Sequence, residues 1–82
     1  MGDRELLERI SIDSRTMVGK PVIRGTRLTV EHILNLLAHG STIIDITEEY
    51  DGLAAEDVQA CLLFATKSLE GTTIVSLESD PN

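Results

Sequence analysis

The chain has 82 residues, a length that fits one small domain with a single core. Aromatic residues make up only 2% of the sequence, so the core must be built from aliphatic side chains. The single cysteine, Cys61, excludes a framework of disulfides and suits a reducing compartment. No stretch is long and apolar enough to cross a membrane, and the mixed charges of residues 1–5 do not fit a signal peptide. We expect a cytoplasmic protein without a membrane partner, stabilised as a homodimer.

The net charge of −7 is unevenly distributed along the chain. Residues 1–30 carry six Lys or Arg against four acids, whereas residues 31–82 carry one Lys against ten acids. The first part could therefore contact an anion such as DNA, and the second would repel nucleic acid and attract a basic protein. Acidic helices that are simply solvated would explain the same distribution, so both interpretations stay open.

A small β region is predicted over residues 9–29. Residues 9–13 alternate polar and apolar side chains, which is the period of a strand. The β-branched pair at 22–23 predicts a second strand, and Gly25 supplies the positive φ that a tight turn after it needs. We expect the chain to return through residues 27–29 and so to close a β-hairpin.

Three helices are predicted after the hairpin, at about 30–39, 42–50 and 54–70. The first has apolar residues at i, i+3, i+4 and i+7, which form one stripe, and Thr29 is suited to cap its start. Six residues of the third helix share its apolar face: Ala54, Val58, Cys61, Leu62, Ala65 and Leu69.

The ends of the chain carry weaker signals. Residues 2–9 predict a frayed start or a short helical turn. Residues 72–77 are rich in β-branched side chains and predict either a closing strand or a segment that orders on a partner. Residues 78–82 are predicted to be disordered. The single domain is therefore expected to span residues 1–77.

The fold class predicted from these elements is α+β and mainly α, with an N-terminal β-hairpin region followed by a three-helix, helix-turn-helix-like (homeodomain-like) bundle. The runs GKPVIRGTRLTVEHILNLLAHG, EEYDGL and EDVQACLLFA resemble the family called domain of unknown function 433, over about residues 12–65. That family is often described as antitoxin-like, of the VapB type. The chain departs from the family pattern at Asp51, where a Pro is usual, and at Ala54, where a Thr or Ser cap is usual.

Candidate nucleic-acid contacts are Lys20, Arg24 and Arg27, three cations around the predicted hairpin, together with Gln59. In helix-turn-helix domains the start of the last helix reads base edges, and Gln59 could bind an adenine there. Carboxylates beside it repel phosphates, so the hairpin is the better contact, and a dimer would double its cations. A structural or interface role for the three cations is the alternative.

Candidate dimer contacts are the hairpin residues Val22 and Ile23 and three apolar residues of the helices, Ile44, Leu63 and Phe64. Apolar side chains outside the helix stripes of a small domain favour self-association.

No catalytic, cofactor or metal site is predicted. His32 and His39 are seven residues apart on one helix, about 10.5 Å, which is too far to share a metal ion unaided. Cys61 lies on the core stripe and is expected to be a buried thiol.

The function expected from the sequence is that of an antitoxin-like or regulatory binding protein, non-catalytic, with a basic toxin protein and DNA as candidate partners. This expectation comes largely from the family resemblance. A dimeric protein-binding or adaptor module without nucleic-acid binding is the alternative.

Overall fold

The computed structural model describes residues 1–15 and 17–70, with only the backbone of Met17. In this part the chain forms helix α1 (Asp3–Leu7), strand β1 (Ile10–Ser11), a 3-10 turn (Met17–Gly19), strand β2 (Val22–Ile23) and helices α2 (Val30–Ala38), α3 (Ile43–Glu49) and α4 (Ala55–Leu69). The architecture is α+β and mainly helical, which confirms the predicted fold class. The strand expected at 72–77 and the disorder expected at 78–82 lie outside the described residues.

The two strands form an antiparallel pair in which Ile10 lies opposite Ile23 and Ser11 lies opposite Val22. The predicted return arm after β2 is much shorter than a full strand and makes one isolated bridge, between Val22 and Thr29. Gly25, with φ +82°, lies in the turn as predicted. Because α2 begins at Val30, the chain has no room for a longer second arm, and β1 becomes the regular partner of β2.

The core is centred on α4, which contacts α1, α2, α3 and β1. Its largest fully buried side chains are Ile23, Ile33, Ile46, Val58 and Cys61. Both strands and helices α2, α3 and α4 contribute residues to one aliphatic cluster, and α1 adds the half-buried Leu6 at its edge.

The buried face of α4 differs from the predicted stripe. Leu62 and Leu69 are 43% and 56% exposed, whereas Ala60 is fully buried beside Val58 and Cys61. The sequence pattern admitted a wide apolar arc, and the elements packed on α4 cover only part of it. The prediction was wrong for Leu62 and Leu69 because burial depends on where the neighbouring elements pack.

Side-chain caps begin α2 and α3. The Thr29 hydroxyl accepts a hydrogen bond from the His32 N–H at 3.0 Å, as predicted. On α3 the Thr42 hydroxyl accepts from the Asp45 N–H, and the Asp45 carboxylate accepts from the Thr42 N–H at 2.9 Å. The Thr42 N–H mainly accounts for an Asp45 pKa below its usual value. These caps fix where each helix starts.

Within residues 1–15 and 17–70, no helix combines the length and the apolar character needed to cross a membrane.

The neighbouring isoleucines of α3 test the assignment of the core. Ile46 is 1% exposed and Ile44 is 67% exposed, so removing the same methyl group has different costs at the two positions. We expect Ile46→Val to lower the free energy of unfolding by about 0.5–1.5 kcal/mol in chemical denaturation. The matched variant Ile44→Val should change it by less than about 0.5 kcal/mol. Equal losses would contradict this orientation of α3.

Candidate binding surfaces

Arg24 joins the start of the chain to the strand pair. Its Nε donates a hydrogen bond to the Glu8 carbonyl oxygen at 2.7 Å, and its Nη2 donates to the Ile10 carbonyl oxygen at 3.2 Å. Glu8 is the C-cap residue that follows α1, so the guanidinium satisfies carbonyls on both sides of the α1–β1 connection. This cation therefore has a structural role.

Lys20 forms an ion pair with Glu31, in the first turn of α2, with an Nζ to Oε1 distance of 3.0 Å. Both side chains are largely exposed, at 57% and 76%, and exposed pairs of this kind contribute only about 0–1 kcal/mol. Lys20 can therefore exchange Glu31 for another anion at little cost.

Arg27 is exposed and makes no hydrogen bond or ion pair with any other residue of the described part of the chain. Gln59 is exposed on the first turns of α4, and no described contact joins it to the hairpin cations. Two of the four residues predicted to contact nucleic acid, Arg27 and Gln59, are thus accessible. Lys20 forms an ion pair at the surface, and Arg24 is hydrogen-bonded to the backbone.

An ion pair between Arg9 and Asp57 was not predicted. Asp57 is 8% exposed; its Oδ1 is 3.0 Å from the Arg9 guanidinium, and its Oδ2 accepts from the Ala54 N–H at 2.9 Å. Ala54 has no side chain that could accept from the N–H groups of the first turn of α4, so of the two hydrogen bonds of a capping box only the one from the Ala54 N–H to Asp57 is present. The sequence indicated only an acid that suits a helix start, because Arg9 is 48 residues away.

Four carboxylates cluster along the chain where α3 ends and α4 begins: Glu48, Glu49, Asp51 and Glu56, which we call the acidic surface. Glu56 is half-buried and the other three are exposed. No ion pair between them and any Lys or Arg occurs within residues 1–15 and 17–70. The negative charge of this surface is therefore not neutralised by the described chain.

The five predicted dimer contacts do not form one exposed patch. Val22 and Ile23 are 3% and 2% exposed because β2 lies between β1 and the Thr29 arm, so both side chains belong to the monomer's own core or its edge. Ile44 is 67% exposed, and Leu63 and Phe64 are half-buried, with Phe64 packed against the core. The side chains of Val22 and Ile23 could contact a second copy only if the residues that now bury them moved away.

The structure also shows an apolar groove that was not foreseen, with a volume of about 670 Å³. It lies between α2 and α4, and its apolar walls include Leu34 and Ala38 on one side and Phe64, Ala65 and Leu69 on the other. Lys20 and Glu31 lie at its rim. Two of its lining residues, Ala65 and Leu69, belong to the apolar face predicted for this helix, but the prediction assigned them to the core rather than to a groove.

The reactive side chains have local partners. The His32 Nε2 lies 3.0 Å from the Tyr50 hydroxyl, and the His39 Nδ1 lies 2.8 Å from the Asn35 carbonyl oxygen. No cluster of three metal-ligating side chains occurs within residues 1–15 and 17–70. Burial, and to a smaller extent the charge of Asp57, raises the pKa of the Cys61 thiol to about 12. Cys61 is therefore a protonated, buried thiol at neutral pH.

The described chain is a small, mainly helical α+β domain in which an antiparallel strand pair precedes three helices. A family model with the description "Protein of unknown function (DUF433)" matches residues 10–65, and the chain belongs to this family. An uncharacterized protein of Archaeoglobus fulgidus is 60% identical over 25 residues, which are 30% of this chain and 69% of that protein. No solved structure matches the chain.

The structural role of Arg24 can be tested by substitution. Arg24→Lys keeps the charge but removes the forked guanidinium that reaches two carbonyl oxygens, and we expect it to lower the free energy of unfolding by about 1 kcal/mol. The same change at the exposed cation, Arg27→Lys, should cost less than about 0.5 kcal/mol. Both values come from chemical denaturation. An unchanged stability of the Arg24 variant would contradict the structural role.

Proposed function

We propose that the protein is a non-catalytic regulatory binding protein of the antitoxin-like kind, which binds a basic partner protein through its acidic surface. The observation that carries this proposal is the set of exposed or half-exposed carboxylates at the α3–α4 connection, which have no ion pair within the described residues. The family resemblance noted in the sequence points in the same direction.

The charges of the other surfaces support this choice of binding face. Arg9, Arg15, Lys20 and Lys67 each pair with a carboxylate, and Arg24 binds backbone carbonyls. Most of the cations therefore interact with groups of the same chain. The carboxylates of the acidic surface have no ion pair within the described residues and can attract a partner. Such a field acts over a Debye length of about 8 Å at physiological salt and accelerates association with a protein of opposite charge.

The probe for this proposal is the protein encoded by the neighbouring gene, since toxin and antitoxin genes are expected to be adjacent. We expect the double variant Glu48→Lys/Glu49→Lys to weaken binding by about tenfold or more in calorimetric titration, because attraction becomes repulsion. The fold should tolerate the change, since cations are favourable in the last turn of a helix.

The matched control is Glu5→Lys/Glu8→Lys, which changes the net charge equally but on α1 and its C-cap residue. This control should weaken binding much less than the α3 variant. Absence of binding by the original protein, or equal losses in the two variants, would contradict the acidic surface as the binding face.

DNA binding by a homodimer is a second candidate function. It is favoured by the exposed guanidinium of Arg27 and by the weak, exchangeable ion pair of Lys20 with Glu31. In a dimer each of these cations would occur twice, and the exposed Ile44 and Leu62 offer apolar contact area for a second copy. Such a surface would contact phosphates rather than read bases.

A DNA duplex from just upstream of the protein's own gene tests this second candidate. We expect binding that weakens steeply between low and high salt, because phosphate contacts release counterions. Arg27→Ala should lower the affinity and the steepness of its salt dependence. Arg15→Ala, which removes a cation already paired with Asp13, is the control and should have a smaller effect. No binding at low salt would eliminate this function.

A further inference from the structure

The groove between α2 and α4 is a concave, mainly apolar surface that the described part of the protein leaves uncovered. Leu69 forms part of its wall and is 56% exposed, and Ala38 is also exposed. An exposed leucine at a single position is ordinary, but Leu69 lies on a concave surface that is also lined by the half-buried Leu34 and Phe64. A concave apolar surface gains free energy when an apolar segment displaces water from it.

We propose that residues 71–77 of the same chain occupy this groove. The wall of the groove includes Ser68 and Leu69, at the very end of α4, so the next residues of the chain start at the groove itself. Glu70 has φ −62° and ψ 133°, so the chain leaves α4 in an extended conformation. Gly71 follows and allows the chain to change direction with little steric hindrance.

The composition of the segment matches the groove. Its sequence, GTTIVSL, contains no charged residue, and Ile74, Val75 and Leu77 supply aliphatic side chains. Its Thr and Ser hydroxyls can meet the polar groups of Asn35 and Ser68, which also line the groove. Charged residues resume at Glu78, where the chain would leave the apolar surface.

The length of the segment is sufficient. Seven extended residues cover about 23 Å. The wall that α2 contributes extends from Val30 to Ala38 and is about 12 Å long at the helical rise. The segment can therefore follow the whole wall with residues left for the turn at Gly71.

The tether favours the chain's own segment over the same segment of a second copy. A short covalent connection gives an effective concentration in the millimolar range, which a free second copy does not reach in dilute solution. The groove is thus expected to be filled within each monomer.

Paramagnetic relaxation in the full-length protein tests the proposal. A nitroxide label is attached at Glu78→Cys, and Cys61 does not compete for it because its thiol is buried and has a pKa raised to about 12. We expect the amide signals of Leu34 and Ala38 to fall below half of their intensity with the reduced label. The signals of Glu48 and Glu49, which do not line the groove, should keep most of theirs.

Two variants of the labelled protein show whether the contact depends on apolar burial. Val75→Asp places a charge among the aliphatic residues of the segment and should restore the signals of Leu34 and Ala38. Ser76→Asp adds the same charge at the neighbouring hydroxyl position, on the opposite side of an extended chain, and should restore them much less. Full restoration by both variants, or by neither, would contradict the proposed apolar docking.

A mixed sample separates the monomer from a second copy. Protein enriched in nitrogen-15 without a label is combined with labelled protein that is not enriched. We expect no loss of signal at Leu34 and Ala38 in this mixture. Loss in the mixture equal to that in the labelled protein would assign the groove to a second copy, and no loss in either sample would leave it without this segment. Either result overturns the proposal, and neither depends on the partner protein or DNA.

Discussion

The structure depends on the burial of one face of α4 against the other three helices and β1. Val58 and Cys61 are fully buried on this face, and α1, α2, α3 and β1 all contact the helix. The chain has few aromatic residues and no disulfide, so these aliphatic contacts are the main source of stability. The Arg9–Asp57 ion pair fixes the start of α4 beside β1, because leaving either charge unpaired near the core would be costly.

This arrangement also determines which charges remain available for binding. Where the N-terminal elements pack on α4, Arg9 pairs with the buried carboxylate of Asp57 on α4, and Arg24 donates hydrogen bonds to the Glu8 and Ile10 carbonyl oxygens. The charge of Arg9 is therefore neutralised by Asp57, whereas Arg24 is held in place by the fold but keeps its charge at the surface. Within residues 1–15 and 17–70 the acidic surface forms no ion pair with a Lys or Arg, so its negative charge stays available to a partner.

A single helix face that packs on several elements leaves its flanks uncovered. Leu62 and Leu69 lie on these flanks, and Leu69 and α2 line opposite sides of the groove. The three main helices and their order were predictable because the period of apolar residues and residues suited to cap helices, such as Thr29 and Thr42, are local signals. Which residues of α4 are buried was not predictable from the sequence, because a wide apolar stripe is compatible with several rotations of the helix about its axis.

By itself, the sequence determined the α+β class, the three main helices, the turn at Gly25, the buried state of Cys61 and the family. Each depends on local periodicity, on backbone preferences or on a continuous motif. Only the tertiary structure decided that β1 pairs with β2, that Arg24 serves the fold while Arg27 stays accessible, and that a groove opens between α2 and α4. These features join residues that are distant in the chain, and their contacts follow from packing around α4, which no local pattern encodes.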